Sequence, residues 1–263
     1  GIKVDTGAKD LANSPKEKVT EGLDGLRDRL KKYYDLGARF TKWRGVYSIG
    51  ENYPSKLAIS SNAHALARYS ALVQENGMVP IVEPEVLMDG NHSAEVCFNK
   101  TSEVIKKCFE ELILHKVDLS GIILKPNMIL SGSLSENKIS SEEVSIKTLE
   151  CLKNSVPNEV PGIAFLSGGQ SEIEATENLN LINKNTEIPL PVTLAITRQE
   201  SAFDIKAKSR AGARGLMQLM PRTARITAKK NNYKYKRIYL TSRPAYNVKI
   251  GSFYFKEMLN KFN

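Results

Sequence analysis

Residues 121–130 read GIILKPNMIL, an apolar run broken by one charged side chain, Lys125. A short segment so rich in isoleucine and leucine suits a strand buried on both faces. Four comparable segments accompany it, at residues 1–4, 45–49, 79–82 and 162–166, so the five starts are separated by 44, 34, 42 and 41 residues. Helical spacing fills the intervals. Leu23, Leu26, Leu30 and Tyr34 share one face, as do Ala63, Leu66, Ala67, Ser70 and Ala71. Further helices are predicted over residues 102–115, 140–154 and 172–183, with Thr101 and either Ser140 or Ser141 as caps. Strand and helix alternating at this interval require crossover connections and a parallel sheet. The fold class expected for the first 190 residues is therefore α/β, either doubly wound or part of an eight-stranded barrel.

Polar residues gather where the apolar runs end: Lys42 and Arg44 beside the second, Glu83 and Glu85 after the third, Lys125 after the fourth, and Ser167-Gly168-Gly169 after the fifth. Charged groups converging from successive strands favour a barrel mouth. No glycine-rich phosphate loop follows the first strand, which disfavours a nucleotide fold. A lysine inside an apolar strand is desolvated, which lowers its pKa and frees the amine as a nucleophile. Lys42 on a neighbouring strand pushes the same way. Glu83 and Glu85 face one side if the strand runs straight through Pro84; one is then suited to acid–base work and the other to holding the lysines. The Ser167-Gly168-Gly169 turn before a helix is a ready anion cradle.

The 263 residues are 41% apolar, with a net charge of +9. That charge is unevenly spread: residues 1–190 carry a net −4 and residues 191–263 a net +13. The basic tail suits a polyanion or a solvated face, while no zinc finger or RNA-binding motif points to nucleic acid. Cys97, Cys108 and Cys151 show no metal-ligand spacing, so neither a disulfide framework nor a metal site is expected. No apolar run approaches a membrane span, and no leader is visible, which implies a cytoplasmic chain without a membrane partner.

The motifs KWR at 42–44, NAHALARYSALVQENG at 62–77, VPIVEPEVLMDG at 79–90, ILKPNM at 123–128 and FLSGGQSEIEAT at 165–176, with GIKVD at 1–5, resemble class I fructose-bisphosphate aldolases over residues 1–187. The resemblance implies a (β/α)8 barrel of which about five strands are represented. It implies Lys125 as Schiff-base lysine and Glu83 as the acid–base for the carbinolamine, with Glu85 and Lys42 as active-site neighbours. Lys3 would line the site; Arg44 would bind one phosphate, and Ser167, Gly168 and Gly169 the other. The implied reaction is cleavage of fructose 1,6-bisphosphate to dihydroxyacetone phosphate and glyceraldehyde 3-phosphate without metal or cofactor. A homo-oligomer is also implied. The family's first-strand aspartate, last strand and C-terminal tyrosine have no counterpart, so impaired turnover is expected.

A domain boundary is expected at residues 188/189, beside Pro189-Leu190-Pro191. Beyond it, AITRQESAFD at 195–204, IKAKSRAGARGLMQLMPRTA at 205–224 and LTSRPAYNVKIGSFYFKEML at 240–259 resemble the lysozyme-like α domain of soluble lytic murein transglycosylases. That resemblance makes Glu200 a lone acid–base, with Ser209, Met217 and Gln218 lining a groove and peptidoglycan strands as partner. Its later helices and an export signal are lacking. Two partial enzymes joined in this way, with Gly1 in place of an initiating methionine, suggest a fusion or a fragment. Three readings follow in order: an aldolase, a transglycosylase, and a cationic non-enzymatic module.

Overall fold

A computed structural model describes residues 1–186, 208, 209, 212–214, 219–243, 246, 247, 250, 251, 253, 254 and 257, without the side chains of 183–186. The chain divides into two units, Gly1–Thr193 and Leu194–Asn263.

The first unit is built on a parallel sheet of β1 (Ile2–Lys3), β4 (Phe40–Tyr47), β5 (Val79–Val86) and β6 (Ile123–Leu124), in that spatial order. Between β1 and β4 lie an antiparallel hairpin, β2 (Gly7–Asp10) with β3 (Lys18–Glu21), and helix α1 (Leu26–Asp35). Helices α2 (Lys56–Glu75), α3 (Ala94–Leu114), α4 (Ser141–Ser155) and α5 (Glu172–Thr186) complete the unit. The segment expected as a fifth strand, residues 162–166, joins the sheet only by a parallel bridge between Leu124 and Ile163.

β4 alternates half-buried and buried positions along its length. Thr41, Trp43, Gly45 and Tyr47 face the helices, and Trp43 stacks on Tyr69 of α2 with ring centroids 5.5 Å apart. The other parity, with Lys42 and Arg44, faces the opposite side, as the two-residue side-chain period requires. The strand expected at 45–49 thus begins five residues earlier, and both cations lie inside it. Its start is hidden in the sequence because charged residues occupy positions where a buried sheet normally carries aliphatic ones.

β5 runs unbroken through Pro80 and Pro84, paired along its length with β4. Val79 N donates to Arg39 O at 2.9 Å and Leu87 N to Tyr47 O at 2.9 Å, so odd-numbered amides point toward β4. Both prolines fall on even positions, in phase with Val82, whose carbonyl accepts from Lys125 N on the β6 side. Their missing N–H groups therefore cost nothing in the β4–β5 ladder.

Ser140 caps α4 in a reciprocal capping box with Glu143, as one of the two serines expected there. Helix α3 begins at Ala94 behind the Ser93 cap, not behind Thr101. Thr101 lies buried within α3, where its Oγ1 accepts from Asn127 Nδ2 at 3.0 Å.

In the second unit, α6 (Pro221–Lys230) and α7 (Tyr239–Ser242) contribute to a small core of Leu219, Ala224, Ala228, Leu240 and Ile250, flanked by Tyr233, Tyr235, Tyr246, Phe253 and Tyr254. Among the described residues, no helix is long and apolar enough to cross a membrane.

Candidate active site

Strand register determines which side chains meet. Lys3 pairs with Lys42, Lys42 with Ile81, Arg44 with Glu83 and Val46 with Glu85. Across the next pair, Ile81 meets Ile123 and Val82 meets Leu124, which carries the same phase on to Lys125. Lys3, Lys42, Arg44, Glu83, Glu85 and Lys125 therefore belong to one face of the sheet, opposite the face that packs on α2.

Lys125 is 5% exposed and Glu83 is 2% exposed. Lys125 Nζ donates to Glu83 Oε1 at 2.7 Å, while Lys42 Nζ lies 3.0 Å from Glu83 Oε2. One carboxylate thus separates two amines. Burial holds the Lys125 amine below its ordinary pKa; Glu83 opposes that shift, Lys42 adds to it, and Glu85 weakly opposes it. Loss of hydration outweighs the nearby carboxylates, and the uncharged amine becomes accessible at lower pH than for a solvated lysine.

Glu85, also buried, pairs through Oε2 with Arg44 Nε. The Arg44 side chain remains 42% exposed, so its guanidinium has donors left for another anion. Lys3 Nζ lies 2.8 Å from Asp5 Oδ1, which also accepts from Gly7 N at 3.1 Å. Asp5 Oδ2 is buried and has no hydrogen-bond partner among the described residues. Sequence reasoning missed Asp5; its signal was its place in the GIKVD motif, two residues after Lys3.

Ser167, Gly168 and Gly169 form the turn between the Ile163 bridge and α5, away from the ion-paired cluster in sequence. Gln170 N closes it on Ser167 O at 3.1 Å. Gly168 and Gly169 have φ of 62° and 88°, left-handed values that glycine adopts readily. A Cβ at Gly169 would also come within 2.9 Å of Met88 Sδ, so a side chain there would have to displace the flexible Met88 chain.

Asn127 is a further residue that sequence reasoning missed. Buried just after Lys125, its Oδ1 accepts from Val86 N at 3.0 Å, and its Nδ2 donates to Thr101 Oγ1 and to Met128 O at 3.1 Å. A side-chain amide thus takes over where β6 ends, tying the Lys125 segment to β5.

Of the residues expected in a second site, Glu200, Met217 and Gln218 lie outside the described residues. Ser209 is exposed, and its Oγ accepts from Ala213 N at 3.0 Å.

The family model "Fructose-bisphosphate aldolase class-I" matches residues 1–249. A probable fructose-bisphosphate aldolase class 1 from Xanthomonas axonopodis pv. citri is 50% identical over 214 residues, covering 81% of this chain and 64% of that protein. Fructose-bisphosphate aldolase 4, cytosolic, from Arabidopsis thaliana is 54% identical over 208 residues, or 79% of this chain and 53% of the relative. The chain therefore spans between about half and two thirds of these relatives' length. Among solved structures, fructose-bisphosphate aldolase from Plasmodium falciparum, in complex with TRAP and a small molecule inhibitor, matches with a TM-score of 0.75 and 36% identity. That match covers 99% of this chain and 69% of the solved one. The parallel sheet of the first unit is accordingly consistent with part of a barrel. The family match continues past the domain boundary expected at 188/189, and these comparisons lend the transglycosylase reading of the tail no support. With the matched residues extending over most of its length, the chain belongs to the class I fructose-bisphosphate aldolase family.

Proposed function

We propose that the chain forms a Schiff base with ketose phosphates through Lys125 and cleaves fructose 1,6-bisphosphate to dihydroxyacetone phosphate and glyceraldehyde 3-phosphate. The observation that carries this reading is the buried Lys125 amine, hydrogen-bonded to Glu83 while Lys42 engages the same carboxylate. Glu83 takes a proton from the Lys125 ammonium, the neutral amine attacks the C2 carbonyl, its nitrogen proton passes to the new alkoxide, and the carbinolamine hydroxyl leaves as water with the proton that Glu83 returns. The iminium then accepts the C3–C4 electron pair. C4 departs as an aldehyde once its hydroxyl proton is removed, leaving an enamine that is protonated and hydrolysed to free the lysine. Arg44 and the Ser167-Gly168-Gly169 turn are the phosphate-binding elements in this reading, with Lys3 as a further cation.

The test is borohydride reduction in the presence of dihydroxyacetone phosphate. The expected product is a single adduct on the peptide containing Lys125, absent from Lys125→Met. A cooperatively folded chain that acquires no adduct there would overturn the proposal. Release of triose phosphate from fructose 1,6-bisphosphate, followed in a coupled assay, then tests cleavage separately from imine formation.

A further inference from the structure

We propose that His64, Glu111 and His115 form a zinc-binding site that bridges α2 and α3. One donor atom from each residue lies within 4.8 Å of the others. His64 stands on the exposed side of α2, Glu111 lies in the last turn of α3, and His115 is the residue that caps that helix at its C-terminus. None of them belongs to the Lys125 cluster.

The two oxygens of Glu111 are already divided in function. Oε1 is held by Lys107 Nζ at 3.1 Å. Oε2 faces Nδ1 of His64 at 3.4 Å and Nδ1 of His115 at 3.8 Å. His115 Nδ1 also lies 2.9 Å from the backbone oxygen of Glu111, so a proton on Nδ1 makes that bond and leaves the Nε2 lone pair free. A histidine oriented by such a carbonyl contact is the usual supporting arrangement for a metal ligand. The two rings meet edge to face with centroids 4.9 Å apart, bringing both imidazoles to one spot.

Two imidazoles and one carboxylate suit zinc and its neighbours in the first transition row, whereas magnesium and calcium prefer oxygen-only sets. A tetrahedral ion with bonds of about 2.0–2.2 Å needs ligand atoms roughly 3.3–3.5 Å apart, so the present spacing must contract. His64 Nδ1 and Glu111 Oε2 already stand at that separation, so the adjustment falls on the approach of the two imidazoles to one another. Water completes the fourth position, as in other sites with three protein ligands. The histidines are 51 residues apart in sequence, which explains why no ligand motif was legible.

Equilibrium dialysis of the whole, chelator-treated chain against zinc at pH 7.5 tests the site. One equivalent is expected, weakened at least tenfold in His64→Gln and again in His115→Gln, and retained in His92→Gln, which alters the remaining histidine. Cobalt should give visible ligand-field absorption that zinc abolishes and magnesium does not. At zinc a hundred times its dissociation constant, the unfolding equilibrium constant should fall about a hundredfold. Circular dichroism verifies that each variant is folded, and Glu111→Gln gives a third, isosteric probe. Zinc stoichiometry and affinity unchanged in the folded His64→Gln/His115→Gln double variant would overturn the proposal, as would no binding by the wild-type chain. Neither result bears on adduct formation at Lys125.

Discussion

Lys42→Met removes one of the two amines that share the Glu83 carboxylate, and it should slow imine formation at neutral pH without abolishing it. The amines stand 2.7 and 3.0 Å from the two oxygens of that group. Taken within about 6 Å of one another, two like charges at an effective dielectric of 20 repel by about 3 kcal/mol. Lys42 is 18% exposed, so solvent reduces that figure; about half of it corresponds to roughly a tenfold change in the protonation equilibrium. The direction is fixed by the charges. Lys42 helps to lower the Lys125 pKa, and without it Glu83 acts on Lys125 alone, so the pKa rises. At pH values below the pKa, that change leaves about tenfold less neutral amine, the form that attacks. The rate of borohydride-trapped adduct formation with dihydroxyacetone phosphate should therefore fall about tenfold near pH 7. It should approach the wild-type rate at pH values above both pKa values. A profile lowered equally at every pH, or one that superposes on the wild type, would refute the electrostatic argument.

Three other outcomes are expected. Glu85→Gln removes the charge paired with Arg44, freeing the guanidinium to move; KM for a bisphosphate should change by more than KM for a neutral ketose, and equal changes would refute a phosphate role for Arg44. Burial pushes the Cys108 thiol up to about 12 and Cys151 up to about 11, and Cys97 is raised as well. At pH 8, an aromatic disulfide reagent should therefore leave all three unmodified in the native chain and titrate all three in urea; rapid native labelling would contradict the packing around them. Ser140→Ala removes the α4 capping box and should lower stability by about 1 kcal/mol, measured by denaturant unfolding followed through the sole tryptophan, the buried Trp43.

The sheet was legible where strands followed the ordinary rule. The runs near residues 79–82 and 121–124 announced β5 and β6 because buried parallel strands are almost continuously aliphatic, and the run at 1–4 overlaps the two-residue β1. β4 escaped in its first half because Lys42 and Arg44 lie on its site-facing side. The same polar intrusion that marked those residues as functional obscured the strand carrying them. The β2–β3 hairpin escaped for a different reason: Gly-Ala-Lys-Asp and Lys-Val-Thr-Glu contain no apolar run, and their pairing is antiparallel. The start of α3 was misplaced because Thr101 resembles a cap in sequence, whereas its hydroxyl is committed to Asn127 across the core. That bond depends on residues 26 apart, beyond the reach of any local pattern. The juxtaposition of Lys125, Glu83 and Lys42 was accessible from strand parity alone, but the division of one carboxylate between two amines required the register.

The two prolines of β5 have a consequence for fidelity of assembly. If this strand slid by a single residue, prolyl nitrogens would meet the carbonyls of β4 where donors are required, and both acidic side chains would be driven into the helix layer. Misaligned states thus lose ladder bonds and bury charge together. A pair of imino acids, remote from any chemistry of their own, acts as a phasing key that keeps the acids on the side where they are used.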